Sequence, residues 1–289
     1  MLDGDHRHTG RGHGRGVLAQ VQPCIVSVGT RLPRVPDSAL AEYSAAFHAR
    51  SAAAADRRTR RVDGLGIHGL VPVDGEAPAE LLVLDDRAFD LLSSLLPLVP
   101  GGTIRVHAAA GRCAELIRRD ARWTPKAVTA MVCGDLRTVP EHRLPDGLTL
   151  LPVRRVPGDP PGGVSLTDAV AAAARAMPAD ELSVAALATY LRSLPEGPRL
   201  FAAVDGDGLV RGTSGSRTFF SEAYVFFVNT DPGWRRQGVG LSMTAAALRS
   251  AANAGATRAS LDASGAGIPL YRRLGFTAVA RITQFSRPV

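Results

Sequence analysis

The chain has 289 residues and a formal charge of +7, enough length for two ordinary domains with their own cores. Its basicity is almost entirely arginine, Lys126 being the only lysine, and aromatics are 5%; that balance does not suggest a nucleic-acid surface of basic stripe and stacking rings. No run approaches the roughly 18 to 20 apolar residues of a membrane span, no signal-type apolar segment follows the N-terminus, and three scattered cysteines (Cys24, Cys113, Cys133) fit neither a disulfide framework nor a zinc site. A cytoplasmic protein without membrane or nucleic-acid partners is the expectation.

Residues 1–16 lack apolar periodicity and read as a disordered tail, its histidines solvated rather than metal-binding. A short strand is expected over 24–28 (CIVSV). From Asp37 the spacing is helical through Arg61. Between residues 80 and 135 strand and helix alternate: LLVLD, then a helix from Arg87 stopped by Pro97, then TIRVHA, the amphipathic AGRCAELIRRDARW, and AVTAMVC. Such alternation implies an α/β layer structure. Thr138–Gly147, rich in Pro and polar residues, is the expected boundary, giving a disordered tail over 1–16, an α/β domain over 17–146 and a second domain over 147–289.

The second domain opens with the strand LTLLPVRRV and two helices, Val164–Ala176 and Ser183–Leu194. A hairpin over RLFAAVD and LVRGTSGSR turns at Gly206-Asp207-Gly208. AYVFFV is a buried strand, Gly238–Ala254 a long helix, RASLDA a strand, Ile268–Arg273 a short helix, and FTAVARITQFSR the closing strand. No internal repeat is visible in the residues.

The chemistry concentrates at VNTDPGWRRQGVG, residues 228–240. A strand ends, a Pro-Gly turn follows, and RRQGVG opens the long helix. Gly238 and Gly240 let backbone N–H groups approach an anion closely, and the helix start adds unpaired donors and a positive dipole end. Arg235 and Arg236 supply charge. A P-loop is excluded because it needs a lysine at this place; a Rossmann loop is excluded because position 243 is Met where a third glycine belongs.

The run V228-x-T230-x-P232-x-x-R235-x-x-G238-x-G240 resembles the acyl-CoA motif of the GNAT superfamily of N-acetyltransferases. The later stretch LDASGAGIPLYRRLGF, residues 261–276, is similar to that family's strand, helix and Tyr-x-x-x-Gly-Phe ending. The resemblance covers about 140 residues and implies a GNAT-type α/β fold, a mixed central sheet flanked by helices, preceded by a smaller α/β domain. That first domain ends in WTPKAVTAMVC, which is faintly similar to the closing half of the same fold, as in a degenerate copy without a cradle.

The resemblance further implies that acetyl-CoA is the acyl donor. Its pantetheine arm would lie along Val228, Asn229 and Thr230, and its pyrophosphate on the backbone of Arg236, Gln237, Gly238, Val239, Gly240 and Leu241, with Arg235 beside them. Ser264 stands where many members carry an Asn that contacts the pantetheine, and is the candidate for that contact. Trp234 would line the cofactor entrance or cap the turn. Tyr271 stands where the family places the tyrosine that protonates the departing thiolate. A backbone N–H near Phe227 or Val228 would polarise the thioester carbonyl. No histidine or cysteine follows His142, so Glu222, sharing a pleat face with Tyr224, is the candidate base, directly or through water; Asp262 reads as structural. The acceptor is expected to be a primary amine of a small molecule. A protein or peptide amine is the alternative, as is a regulator that binds acyl-CoA without turnover, and both monomer and homodimer remain open.

Overall fold

The computed structural model describes residues 38–55, 58–73, 77–155, 162–176, 187–188, 191–192 and 199–288, all within one compact unit, Pro33–Val289. The tail over 1–16, the strand over 24–28 and most of the helix expected at Ser183–Leu194 lie outside the described residues.

Helix α1 (Ser38–Ala54) is followed by strands β1 (Thr59–Gly64), β2 (Ile67–Pro72) and β3 (Ala79–Val83), helix α2 (Phe89–Leu95), β4 (Gly102–His107), α3 (Gly111–Arg118) and β5 (Thr124–Cys133). The helical spacing read through Arg61 overran: the helix stops at Ala54, and Arg60 and Arg61 sit in β1, paired with Val71 and Leu70 of β2. The tight Gly64-Leu65-Gly66 turn closes this hairpin, and strand pairing overrides the helical preference of an alanine-rich lead-in.

After the Thr138–Gly147 segment come β6 (Thr149–Arg154), β7 (Val164–Ser165), α4 (Leu166–Ala176), β8 (Arg199–Val204), β9 (Val210–Phe219), β10 (Glu222–Thr230), α5 (Val239–Asn253), β11 (Arg258–Ala263), α6 (Ile268–Arg273) and β12 (Thr277–Arg287). These elements follow the order expected from the sequence except at Val164–Ser165, where the expected first residues of the helix instead pair with β6 as β7 and the helix starts at Leu166. No helix among the described residues is long and apolar enough to cross a membrane.

All twelve strands form one sheet in the order β1-β2-β3-β4-β12-β5-β11-β10-β9-β8-β6-β7. From the junction of β12 and β5 outward, the order is the same on both sides. One side runs through β4, β3, β2 and β1; the other runs through β11, β10, β9 and β8. Each side is a hairpin, a third strand, a helix crossover to a parallel strand, and a helix leading to a closing strand. The two closing strands are exchanged: β12 pairs with β4 of the first half, and β5 pairs with β11 of the second. The repeat absent from the residues is therefore present in the topology.

The exchange is written into the cores. Phe285 of β12 is fully buried with Leu81, Ile104, Leu92 and Ile117 of the first half. Met131 and Cys133 of β5 are buried with Val225, Leu241, Leu248 and Leu261 of the second. Burying a side chain such as Phe285 contributes about 1.5–3 kcal/mol, so each half depends on the other for a closing strand and for core volume. On the opposite face, α1 lays Tyr43 and Phe47 over Leu82, Val128, Val132 and Ile282, strands of both halves.

Candidate functional site

The site grows out of an irregularity in β10. Its pairing with β9 shifts register between Phe226 and Asn229, and Phe227 takes a left-handed φ of 59°. Thr213 Oγ1 donates to the Phe227 carbonyl at 2.8 Å, fixing the bulge from the neighbouring strand. A bulge of this kind re-aims backbone groups that would otherwise serve the ladder.

On its other edge β10 runs parallel to β11, but only Glu222, Ala223 and Tyr224 are paired, with Arg258, Ala259 and Ser260. Beyond Tyr224 the strands part, leaving the edges of Val225–Thr230 and of Leu261–Ala263 facing an open fork. The corresponding pair in the first half, β3 and β4, is closed along its length, with five pairs from Ala79–Gly102 to Val83–Val106. Among the described residues, only the second half has a crevice into which an extended chain with amide groups could be hydrogen-bonded.

The fork leads to the turn before α5. Asp231 accepts from the Gly233 N–H at 3.0 Å and starts a short 3-10 turn, Pro232–Trp234. Arg236 is left-handed at φ 63°, and Gly238 at φ 90° is the residue before the helix. The Ser242 N–H is bonded back to the Gly238 carbonyl at 3.0 Å; the N–H groups of Val239, Gly240 and Leu241 have no helical carbonyl behind them. A Cβ on Gly240 would come within 2.9 Å of Leu270 Cδ1 and 3.2 Å of Thr230 Oγ1. Strand, helix start and α6 thus converge there, and the residues fit an anion held by backbone donors.

The neighbouring side chains hold the turn in place through hydrogen bonds and packing. Arg235 donates to the Thr230 and Ala176 carbonyls, at 3.3 and 2.9 Å, tying α4 to the turn, and both Arg235 and Arg236 are exposed. Gln237 donates to the Gly233 carbonyl at 3.1 Å. Trp234 packs with Ala203, Val239 and Met243 under the turn. Ser214 and Ser216 of β9 donate to the carbonyls of Met243 and Ala247, at 2.8 and 3.0 Å, and seat α5 on the sheet. In the first half the turn after β3 carries Asp85 and Asp86, and Asp85 caps it by accepting from the Arg87 N–H. With two carboxylates and no glycine between Gly75 and Gly101, that turn would repel a pyrophosphate.

Tyr271 lies on α6, buried against Phe276 with ring centroids 6.0 Å apart in a T-shaped contact. Burial pushes its phenol up to about 12, so it carries its proton at every ordinary pH. Its neighbour Leu270 is the residue nearest Gly240, which places α6 beside the cradle. Ser264 is exposed in the turn after β11, its carbonyl accepting from Gly267. Glu222 is at the closed end of the β10–β11 pair, two residues before the fork, and ion-paired to Arg258 at 2.6 Å. Burial raises its carboxyl, Arg258 opposes that and Glu42 adds to it. At about 3.3 Å per residue, Glu222 is roughly 7 Å short of Tyr224 along the strand.

One constellation had no signal as a unit in the sequence. At the fork's apex Tyr224 donates to Asp262 Oδ2 at 2.9 Å, and Tyr43 of α1 donates to Asp262 Oδ1 at 2.6 Å. Arg105, from β4 of the first half, uses each guanidinium nitrogen once. Nε donates to Asp262 at 2.6 Å, Nη1 to Glu80 at 3.2 Å and Nη2 to the Tyr224 hydroxyl at 3.1 Å. Arg50 of α1 lies over the Tyr224 ring, 3.9 Å from its centroid. Burial alone would raise Asp262, but Arg105 and the Tyr43 hydroxyl hold it below the usual carboxylate range. Burial and Asp262 push the Tyr224 phenol upward, so it remains a donor.

Residues 168–276 match the model of the acetyltransferase (GNAT) family. No curated protein matches the chain in sequence. Among solved structures, a GCN5-related N-acetyltransferase from Kribbella flavida superposes with a TM-score of 0.58 at 18% identity, over 88% of this chain and 97% of that one. A Drosophila protein superposes at 0.55 with 17% identity, over 80% and 78%. A conserved protein of unknown function from Staphylococcus epidermidis does so at 0.54 with 9% identity, over 79% and 93%. At these identities the likeness is one of fold, and it extends across both halves of the sheet.

Proposed function

With a GNAT-family acetyltransferase domain in its second half, we propose that this chain transfers an acetyl group from acetyl-CoA to the primary amine of a small molecule, using one cofactor site. The observation that carries the proposal is the junction of an open strand fork with an unpaired helix start, found in the second half and closed in the first. Acetyl-CoA supplies an activated acyl thioester. The N–H groups from Arg236 to Leu241 would hold its pyrophosphate, and the open edge at Val228, Asn229 and Thr230 would hydrogen-bond its amide-bearing arm, with Ser264 at the fork's far wall. The N–H groups freed by the bulge at Phe227 and Val228 are suited to stabilise negative charge on a carbonyl oxygen.

Tyr271 holds a proton at its hydroxyl and can pass it to a departing thiolate. The face of β10 that carries Ala223 and Val225 is covered by α5, so an acceptor reaches the fork from the Tyr224 and Phe226 face. Glu222, engaged by Arg258 outside the fork, is poorly placed to take the amine proton, which passes to solvent from an amine bound neutral. The first half, with its crevice zipped and its turn acidic, acts as support rather than as a second catalytic unit.

The test combines calorimetry of acetyl-CoA on the full chain with a thiol-release assay over a panel of small amines and peptides. Binding with turnover of small amines supports the proposal. Turnover of peptides alone would move the acceptor to proteins, and binding without turnover on either panel would make the chain an acyl-CoA sensor.

A further inference from the structure

The hydrogen bonds at the apex of the fork come from three directions, and the central one is not supplied by the half that carries the cradle. Tyr224 is the last paired residue of β10, and Asp262 lies two residues past the last pair of β11. Their 2.9 Å hydrogen bond is therefore a bridge across the fork at the level where the strands begin to separate. Arg105 holds both ends of that bridge at once, and its third nitrogen is anchored to Glu80 on β3. The Tyr224 ring is clamped by Arg50 on one side and stacks on Phe226, 6.2 Å away and nearly parallel. Arg105 and Asp262 are both buried, with side-chain exposures of 7% and 5%, so their attraction is little screened by solvent.

We infer that Arg105 is a positioning residue for acetyl transfer: the first half of the chain, which has no cofactor crevice of its own, sets the opening of the fork in the second half through the Arg105–Asp262–Tyr224 bridge. The inference rests on the acetyltransferase reading above. The bridge fixes the angle at which β10 and β11 diverge, and with it where the edge from Val225 to Val228 stands relative to whatever lies in the fork. A misplacement of about 1 Å at a reacting centre costs on the order of 100-fold in rate. The cradle sits at the opposite end of β10, so the bridge bears on orientation more than on cofactor affinity.

Removing one partner alone strands a buried charge and threatens folding. The decisive variant is therefore the double replacement Arg105→Met with Asp262→Leu, which exchanges the ion pair for apolar groups of similar size. Glu80 keeps Arg50 as a partner at 3.2 Å, while the Tyr43 and Tyr224 hydroxyls lose theirs, so the double variant is expected to fold with a lowered Tm. The expected result, in the full chain, is cooperative unfolding and an acetyl-CoA Kd within about threefold of wild type, with kcat reduced at least tenfold. Tyr224→Phe, which deletes only the bridging hydroxyl, should show the same split of kcat from Kd. Arg105→Lys should lose less kcat than the double variant, because an ammonium can pair with Asp262 but cannot also reach Tyr224 and Glu80. A folded double variant with wild-type kcat would overturn the inference. If the double variant does not fold, wild-type kcat in Tyr224→Phe does so instead. Wild-type protein that binds acetyl-CoA and acetylates no amine would refute the acetyltransferase reading itself, a distinct outcome.

Discussion

Replacing Gly238 by alanine probes the cradle with the smallest possible change. Gly238 has φ 90° and ψ −7° immediately before α5, and a Cβ there would meet nothing within 4 Å. Crowding thus contributes nothing, and the cost is conformational: an L-residue in this region loses about 1–2 kcal/mol. In the free protein the alanine variant can relax by rotating the peptide planes around residues 236–238, which turns their N–H groups away from the anion site. Binding acetyl-CoA must restore the strained form, so the same 1–2 kcal/mol should appear as a Kd weakened roughly 5- to 30-fold. Calorimetry with acetyl-CoA measures this directly, and thermal unfolding should show only a small change in Tm. Gly240→Ala is the contrast: that residue is helical, and its Cβ would press on Leu270 Cδ1 and Thr230 Oγ1, both ends of side chains that can move. Its effect should be smaller unless bound cofactor uses the same space. Undiminished affinity in the alanine variant at 238 would refute the assignment of this turn as the anion cradle.

Tyr271→Phe should leave acetyl-CoA affinity and Tm nearly unchanged while lowering kcat by about 10²- to 10⁴-fold; a loss under threefold, with chemistry rate-limiting, would remove Tyr271 from the mechanism. Because burial holds its phenol near 12, no basic limb in the kcat/KM profile below pH 10 should belong to it. Glu222→Gln should keep kcat within about threefold and leave the pH–rate profile on the ionisation of the amine; a shifted profile with a large loss would restore Glu222 as the base. Glu80 and Asp262 are both held below their ordinary values by the arginines around them. Their stabilisation is present above the unfolded carboxylate range, about 4, and is lost as pH falls through the lower folded values. The Tm of wild type should therefore fall more steeply below pH 4 than that of the Arg105→Met, Asp262→Leu variant, a comparison that scanning calorimetry makes directly. Finally, a chain cut at Gly147 separates β4 from β12 and β11 from β5, so either fragment should melt cooperatively only if its own closing strand folds back into the vacated place; a Tm equal to that of the full chain in either fragment would show that the exchanged strand is not needed for stability.

The parts of this molecule that were legible in the sequence are those whose physics is local. The proposed anion cradle is built from a strand end, a turn, a residue at positive φ and a helix start, all within the run from Val228 to Gly240, and each of these local features leaves its mark in residue types. The alternation of strands and helices is equally local, which is why the elements from β3 to β12 stand close to where the spacing put them. The β1–β2 hairpin escaped because Thr59–Gly64 is polar along one face and follows an alanine-rich helix without a break in composition.

What the sequence withheld is set by long-range pairing. Arg105 and Asp262 are 157 positions apart, and nothing around either announces the other. A trace of the bridge was nevertheless present. Asp262 is the only acid after Asp231, among eight arginines, and it sits between Leu261 and Ala263 in a largely buried strand, where an unpaired carboxylate would be too costly to keep. Such a residue demands a buried cation, and the sequence could have posed that question without naming the partner. The exchanged closing strands explain why the partner comes from the other half. β12 and β5 lie between β4 and β11, so both halves belong to one sheet, and Arg105 of β4 meets Asp262 of β11 beside Tyr43 of α1. Two halves of one topology, of which only the second has an open fork among the described residues, are coupled in this way: the first contributes the cation that pairs with Asp262 at the second's fork.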